Sequence, residues 1–501
     1  MASSLLWDVD VDSVYQIIDK HQESIASLDV AIEGFMCTIR QLQYQKQTHV
    51  AEIRRCKGII TLAKRLPPEI LAYIFEECVQ DGWTRTPLVV SHVCSSWRKA
   101  ASIPAVWSHV YVNFDTRDPC KRTQFWFDKA GDSLLTINLE VGNDMSHLNR
   151  MTELLVSTLP RWKALTVKSL MLQPVNQILQ ACNRPTPVLR VVDVSIEQEF
   201  TVAPDSDVNE LVGLHTSFPE APLFKSLCIR RNILPRGNII PSFIKNLSLH
   251  LPSHQSHTTQ SLLSIIQVLE GLPNLESFSL EIPNKHTQQF ELNVAPDRAV
   301  NLPHLSSITL MGKDNIFAIL PHLRVPSPTH LYLRSSLDYF QPLDVAVWIE
   351  LFFQHAQITL LEIRDLGLDS IAYDRILRSL PSVEELRLHD CDVVDSTLRA
   401  LNGPHGLCRH LRKLDLRWCG RISGRALVDL VRSRLAGDVN EPPYPLAPAA
   451  IVEITLINCS YVREKDIMDL AQMTVCRLIH NGHKDLCSKP YYILHVLLWQ
   501  G

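Results

Sequence analysis

Glycine is scarce in this sequence, with 17 residues among 501 against 30 prolines. So few glycines leave few places where a backbone can pass close to a phosphate. Neither the Gly-x-x-x-x-Gly-Lys pattern of a phosphate loop nor the His-Glu-x-x-His pair of a metalloprotease occurs. An excess of positive charge is missing too. The 49 Lys and Arg face 53 Asp and Glu, for a net charge of −4, which argues against a general polyanion partner such as nucleic acid. No apolar run approaches the ~20 residues needed to cross a bilayer. Met1 to Asp12 is acidic and lacks the basic start and apolar core of a secretory signal. The 13 cysteines are scattered, mostly within apolar periodic segments, as free buried thiols would be in a reducing compartment. The expected location is therefore cytoplasm or nucleus. In that setting Asn246-Leu247-Ser248 and Asn458-Cys459-Ser460 are chance matches to the glycosylation pattern.

What is present is a folded, soluble composition, 46% hydrophobic and 20% charged, long enough for two or more domains. Residues 1–64 comprise an acidic start and a heptad-patterned helix. Ile25, Leu28, Ile32, Phe35, Ile39 and Leu42 alternate steps of three and four; the register passes through Lys46 and His49 and resumes at Ile53, Cys56 and Ile60. No proline falls between residues 13 and 66. Such a helix can pair with a second chain through residues 25–60 or fold back onto its own domain.

Residues 65–108 form a separate short module. Pro67 and Pro68 can open a helix, and Glu69 then sits in the first turn, where the helix dipole favours an anion. Ile70, Leu71, Ile74 and Phe75 are expected to form one apolar face. Gly82 and Pro87 punctuate the chain before Leu88, Val89, Val90, Val93 and Cys94; Trp97 follows, Pro104 ends the helix and Trp107 closes the segment. Three short helices sharing two tryptophans bury little surface, so the module gains from a neighbour or partner.

These residues resemble the F-box domain in the F-box-like form of mushroom-type fungi. The matching elements are Leu66-Pro67-Pro68-Glu69-Ile70-Leu71, Ile74-Phe75, Val93-Cys94-Ser95-Ser96-Trp97-Arg98 and Pro104-Ala105-Val106-Trp107. The resemblance implies docking onto the Skp1 subunit of a cullin-based ubiquitin ligase. Leu66, Pro67, Ile70, Leu71 and Trp97 are the residues expected to form or support that docking face.

After a linker or first capping element at 109–133, one phrase recurs: apolar, two residues, apolar, one residue, apolar. Clear copies are Leu275-x-x-Phe278-x-Leu280, Leu305-x-x-Ile308-x-Leu310, Val383-x-x-Leu386-x-Leu388, Leu411-x-x-Leu414-x-Leu416 and Ile451-x-x-Ile454-x-Leu456. The middle residues fall at 137, 165, 192, 227, 247, 278, 308, 331, 361, 386, 414 and 454, mostly 20–31 residues apart. That period suits a short strand followed by a helix, stacked as a solenoid over 134–475 with a C-terminal cap at 476–501. Leu272-Pro273, Leu302-Pro303 and Leu380-Pro381 introduce strands, proline ending the element before. Cys391, Cys419 and Cys459 each lie three residues beyond the last apolar residue of a phrase. This resembles the cysteine-containing leucine-rich repeat, which implies an α/β horseshoe with that Cys turned inward. An acidic stretch, 202–220, and a proline-rich one, 441–448, interrupt the period.

The polar residues follow the repeats instead of converging, so no enzyme and no cofactor are expected. Asp390, Asp392 and Asp395 beside His389 read as exposed turn carboxylates. Cys476, His480, His483 and Cys487, at offsets of four, three and four, would share a helix face, but all four could not converge on one zinc ion without a break in that helix. No metal is therefore expected. The residue between the last two apolar positions of the phrase should point away from the core. This selects Arg387, Asp415 and Thr455, with Ser279 and Thr309 earlier. Arg417 and Trp418 lie next to a strand end, and Trp and Arg often dominate interfaces. The order of docking module then repeats resembles F-box proteins that hold a protein substrate on a repeat array. The expectation is a ligase adaptor, with a repeat scaffold lacking a ligase role as the alternative.

Overall fold

The computed structural model describes residues 11–59, 66–197, 211, 213–230, 240–251, 262–282, 294–295, 298–312, 314–335, 343–403, 405–435 and 448–479. The chain divides into two compact units, Met1–Val106 and Trp107–Gly501.

In the first unit, α1 (Val11–Ile59) is one helix of 49 residues. Every side chain described between Asp12 and Lys57 is exposed. Three short helices follow: α2 (Pro68–Gln80), α3 (Thr86–Ser91) and α4 (Ser95–Ala101). Pro67 and Pro68 open α2 as expected, with the Pro67 carbonyl accepting from the Ile70 and Leu71 amides. Leu71, Ala72, Phe75 and Val79 bury one side of α2. Ile70 and Ile74 are exposed, so the four-residue apolar face expected from the sequence is really two faces. The cause is geometric: neighbouring residues stand about 100° apart on a helix of 3.6 residues per turn. Trp97 packs on Phe75 at 5.1 Å between centroids, and Arg98 Nε donates to the Ser91 carbonyl at 2.9 Å, tying α4 to α3.

Trp107 belongs to the second unit, where it packs edge-on against Trp126 at 5.1 Å. Among the described residues, the second unit carries one parallel sheet of 15 strands. They are β1 (His109–Asn113), β2 (Leu135–Val141), β3 (Trp162–Ser169), β4 (Val191–Ile196) and β5 (Ser226–Arg230). Then come β6 (Asn246–His250), β7 (Ser277–Glu281), β8 (Val300–Asn301), β9 (Ser307–Gly312) and β10 (Leu323–Ser335). The last are β11 (Ala356–Arg364), β12 (Glu385–His389), β13 (Lys413–Arg417), β14 (Glu453–Ile457) and β15 (Val475–Ile479). They pair in chain order, except that short β8 lies off the path and pairs with β10. Helices or short 3-10 segments stand between most of them, giving a solenoid-like stack.

All twelve middle residues of the phrase lie in strands, and the strands alternate buried and half-buried positions. The sheet begins at His109, inside the stretch read as a linker or cap, because Trp107-x-x-Val110-x-Val112 is itself a copy of the phrase. The Leu-Pro starts are tight turns: the Leu275 and Leu305 amides donate to the Leu272 and Leu302 carbonyls at 3.2 Å. Cys476 lies in β15, so no helix runs through it to gather a zinc set; His480, His483 and Cys487 lie outside the described residues. Residues 202–210 and 441–447 lie outside them as well.

One buried charge holds the late repeats together. Arg434, 5% exposed on the helix Gly424–Leu435, donates to the carbonyls of Leu401, Leu407, Cys408 and Leu411 at 2.7–3.4 Å. These acceptors belong to the chain leading from one repeat into the next, where regular structure cannot satisfy them. Replacing Arg434 by Met keeps much of the volume and removes every donor. We expect Arg434→Met to destabilise the second unit by about 3 kcal/mol or more, read from the midpoint of urea unfolding followed by tryptophan fluorescence.

Candidate functional site

Two surfaces carry the residues singled out from the sequence, one in each unit. The first is the outer side of α2. Pro67, Ile70, Tyr73, Ile74 and Glu77 are all exposed, at spacings that put them on one face, opposite the buried Leu71–Phe75–Val79 stripe. Ile70 is 48% exposed and Tyr73 62%. Nearby in sequence, Trp83, Val89 and Val93 are exposed too. Of the five docking candidates, Leu71 is core, Leu66 and Trp97 are half-buried, and Pro67 and Ile70 are at the surface. Large apolar groups left in water on one short helix are unusual in a free monomer and mark an interaction surface.

The second surface is the half-buried side of the late strands. The register brings Glu362, Arg387, Asp415 and Thr455 side by side, each at the same position of its phrase. Arg387 is clamped by two carboxylates, with Nε donating to Glu385 at 2.6 Å and Nη1 to Glu362 at 3.2 Å. Arg417 makes a two-pronged contact with Asp415, at 2.9 and 2.7 Å. His389 is buried between them, with Nδ1 3.8 Å from Glu362 and Nε2 3.5 Å from Asp415 Oδ1, the outer limit of hydrogen-bond length. Burial alone would push the Asp415 carboxyl up, but His389 and Arg417 outweigh it and hold it at about 2.

The strands bring residues singled out from the sequence into one row, in a bonded state that the sequence does not show. Arg387 and Arg417 are engaged within the sheet, and Glu362, Glu385 and His389 join them without having been singled out as candidates. Glu362 is open to detection, since it occupies the middle slot of Ile358-x-x-Leu361-x-Ile363. Ser279 and Thr309 lie in the same row on β7 and β9.

Just past this row the backbone repeats a feature. Asp365, Asp390, Trp418 and Asn458 all adopt the left-handed conformation, with φ of 52–53°. The Asp390 and Trp418 amides donate to the next strand's Arg417 and Ile457 carbonyls at 2.7 and 2.8 Å, extending the ladder past the strand ends. Asp and Asn tolerate this backbone; a bulky Trp is disfavoured there. Trp418 is half-buried. The following residues include the phased cysteines. Cys391 Sγ donates to the Ile363 carbonyl at 3.4 Å, Cys419 to Leu388 at 3.3 Å and Cys459 to Leu416 at 3.6 Å, each reaching back one repeat. Burial pushes the Cys391 and Cys419 thiols up to about 12, the reverse of what a nucleophile needs. The aspartates read as turn residues are also occupied. Asp395 accepts from the Ser423 amide and hydroxyl at 2.7 Å, and Asp392 pairs with Arg421 at 3.4 Å.

A third feature has no counterpart in the sequence pattern. A groove of about 650 Å³ lies where the chain enters β5, β6, β7 and β9, lined by Phe224, Phe243, Lys225, Lys245, Glu276 and His304 among others. Phe243 is 48% exposed beside the buried Phe224, with ring centroids 6.0 Å apart.

With this geometry in hand, comparison with known proteins gives one domain. Residues 63–113 match the F-box-like family model. The chain thus carries an F-box-like domain over about a tenth of its length, and that domain contains α2, α3 and α4. No curated protein matches the sequence. Among solved structures, the chain is similar to the crystal structure of the Rad7 and Elc1 complex in yeast. The identity is 14%, over 68% of this chain and 76% of that chain, with a TM-score of 0.36. So slight a likeness says nothing about partners here.

The pairing of Asp415 has a pH consequence. A carboxyl held below its unfolded value stabilises the fold above that value and loses the contribution as pH falls toward the folded one. For Asp415 the window runs from about pH 4 down to about 2, and the contribution is about 2 kcal/mol. Asp415→Asn should therefore flatten the fall in stability across this window, measured by urea unfolding at successive pH values.

Proposed function

We propose that this protein is a non-catalytic adaptor of a cullin-type ubiquitin ligase, docking Skp1 through the F-box-like domain and a protein substrate through the repeats. The observation that carries this reading is the exposed apolar face of α2 within residues 63–113. Its shape is that of a helix waiting for a partner: one side locked into a small core, the other apolar and bare. An adaptor does no chemistry of its own. It raises the local concentration of a substrate beside the charged conjugating enzyme.

In this reading Pro67 and Ile70 touch Skp1, while Leu71 and Trp97 support the face from below. Ile70→Asp should leave circular dichroism unchanged and weaken Skp1 binding by calorimetry at least tenfold, about 1.4 kcal/mol or more. Leu71→Ala should instead destabilise the domain by about 2–5 kcal/mol. Wild-type affinity in a folded Ile70→Asp protein would reject Ile70 as a contact. Absence of any Skp1-like subunit from the purified complex would leave a repeat scaffold without a ligase role.

For the substrate, we place the contact on the row of Glu362, Arg387, Asp415 and Thr455, with Trp418 at its edge. Trp418 supports this choice because it occupies a left-handed backbone slot where three other repeats have Asp or Asn. Strain of this kind collects at functional sites. Arg387 and Arg417 contribute as oriented charges already paired within the sheet. Trp418→Asn should raise stability by about 1 kcal/mol and abolish capture of the substrate from cell extract. If the stabilised Trp418→Asn protein keeps every partner at wild-type yield, the substrate lies elsewhere, with the Phe243 groove next in line.

A further inference from the structure

The Skp1 and substrate reading leaves α1 without a role, although it is the longest helix described and its apolar stripe is uncovered. Ile32 is 57% exposed, Phe35 69% and Leu42 58%. A helix draws most of its stability from packing an apolar face, so a bare stripe of this length implies a missing partner. We propose that the partner is α1 of a second copy of this chain, paired as a parallel, in-register, two-stranded coiled coil whose register is set by Lys46.

The assignment of heptad positions follows from the apolar residues. Ile18, Ile25, Ile32, Ile39 and Ile53 all fall at position a, and Lys46 is the single exception in that row. Position d holds Leu28, Phe35 and Leu42 in the central heptads. β-Branched residues at a with leucine at d favour two parallel strands. The sorting has meaning only in a parallel pair, where a meets a and d meets d; an antiparallel pair mixes them. Lys46 then works as a single polar a residue does, at some cost to stability. In register, the two lysines meet and their long side chains bend out to water. Slipped by one heptad, each Lys46 would press against Ile39 or Ile53 of the other helix instead.

Flanking charge fits the same partner. Glu52 at position g lies five residues before Lys57 at position e, the spacing at which g reaches e of the other helix in a parallel pair. None of the earlier g–e pairs from Ile17 onward sets like charges together. Apolar a and d coincide in three consecutive heptads, Ile25–Leu28, Ile32–Phe35 and Ile39–Leu42, flanked by polar His21 and by Lys46 with His49, and the apolar row resumes at Ile53; three is the lower end of what marks a coiled coil. A foreign helix would need the same β-branched row, an answering polar residue at Lys46 and the same charge offset. A second copy supplies all three.

Cysteine provides an internal reporter. Cys56 falls at d, where it would face its own counterpart, whereas Cys37 falls at f on the outer side; both are exposed and outside any disulfide, and the Cys56 thiol donates within its own helix to Glu52 at 3.7 Å. The experiment uses the full-length protein. Sedimentation equilibrium at micromolar concentration should give about 114 kDa, twice 56.9 kDa. Leu28→Asp with Leu42→Asp should halve that mass while leaving the circular dichroism and melting of the remaining fold in place. Copper phenanthroline, as oxidant, takes two hydrogens from two Cys56 thiols to form one interchain disulfide. That crosslink should vanish in Cys56→Ser and persist in Cys37→Ser. Lys46→Ile should yield species larger than the dimer. A monomer of about 57 kDa at every concentration would overturn the proposal, as would a dimer whose crosslink ignores Cys56. Neither result depends on Skp1 binding.

Discussion

The backbone ladder of the second unit holds the strands of its main path in the same phase, short β8 standing apart. From Val110 through Ile137, Leu165 and Val192 to Leu414, Ile454 and Cys476, each middle residue of the phrase sits beside the next. Shifting one strand by a single residue would turn its apolar pair to the open side and its polar row into the core. The identity of the phrase in each copy matters less than its phase. Phe, Ile, Val and Leu all serve in the middle slot. This constraint also makes the polar row a surface. Residues far apart in sequence, such as Glu362 and Asp415, come within reach of one histidine because the ladder stacks their slots.

Much of the strand pattern is legible because burial on one face leaves a period of two in the sequence, and stacking leaves a period near that of one repeat. The middle residues of the twelve copies all fall in strands. The first and last strands are harder to see, although Trp107-x-x-Val110-x-Val112 and Met473-x-x-Cys476-x-Leu478 carry the same phrase. They lie where an end element is expected, and the weak residue Cys476 disguises the second. Pro67, Pro68 and Pro104 place the short helices well. Which of Ile70 and Leu71 is core is not legible, because both are apolar and the answer depends on where α3 and α4 lie.

The candidate site is harder to read for a different reason. A sequence shows that Arg387 and Arg417 sit at outward slots, and the strands place them there. It does not show that Glu362, Glu385 and Asp415 stand close enough to neutralise them, since those partners come partly from other repeats. Slot and spacing alone place Trp418 only beside a strand end. Its left-handed backbone emerges only when Asp365, Asp390 and Asn458 are seen in the same conformation in other repeats.

The phased thiols have a use that follows from their burial. Cys391 and Cys419 each bond a carbonyl of the preceding repeat and are shut from water. A thiol so placed reacts with a labelling reagent only when its repeat parts from the one before. The chain therefore contains built-in clocks of local opening, spaced along its length. The order in which the buried Cys419 and Cys391 become labelled under native conditions would trace how far fraying travels inward from the late end of the stack.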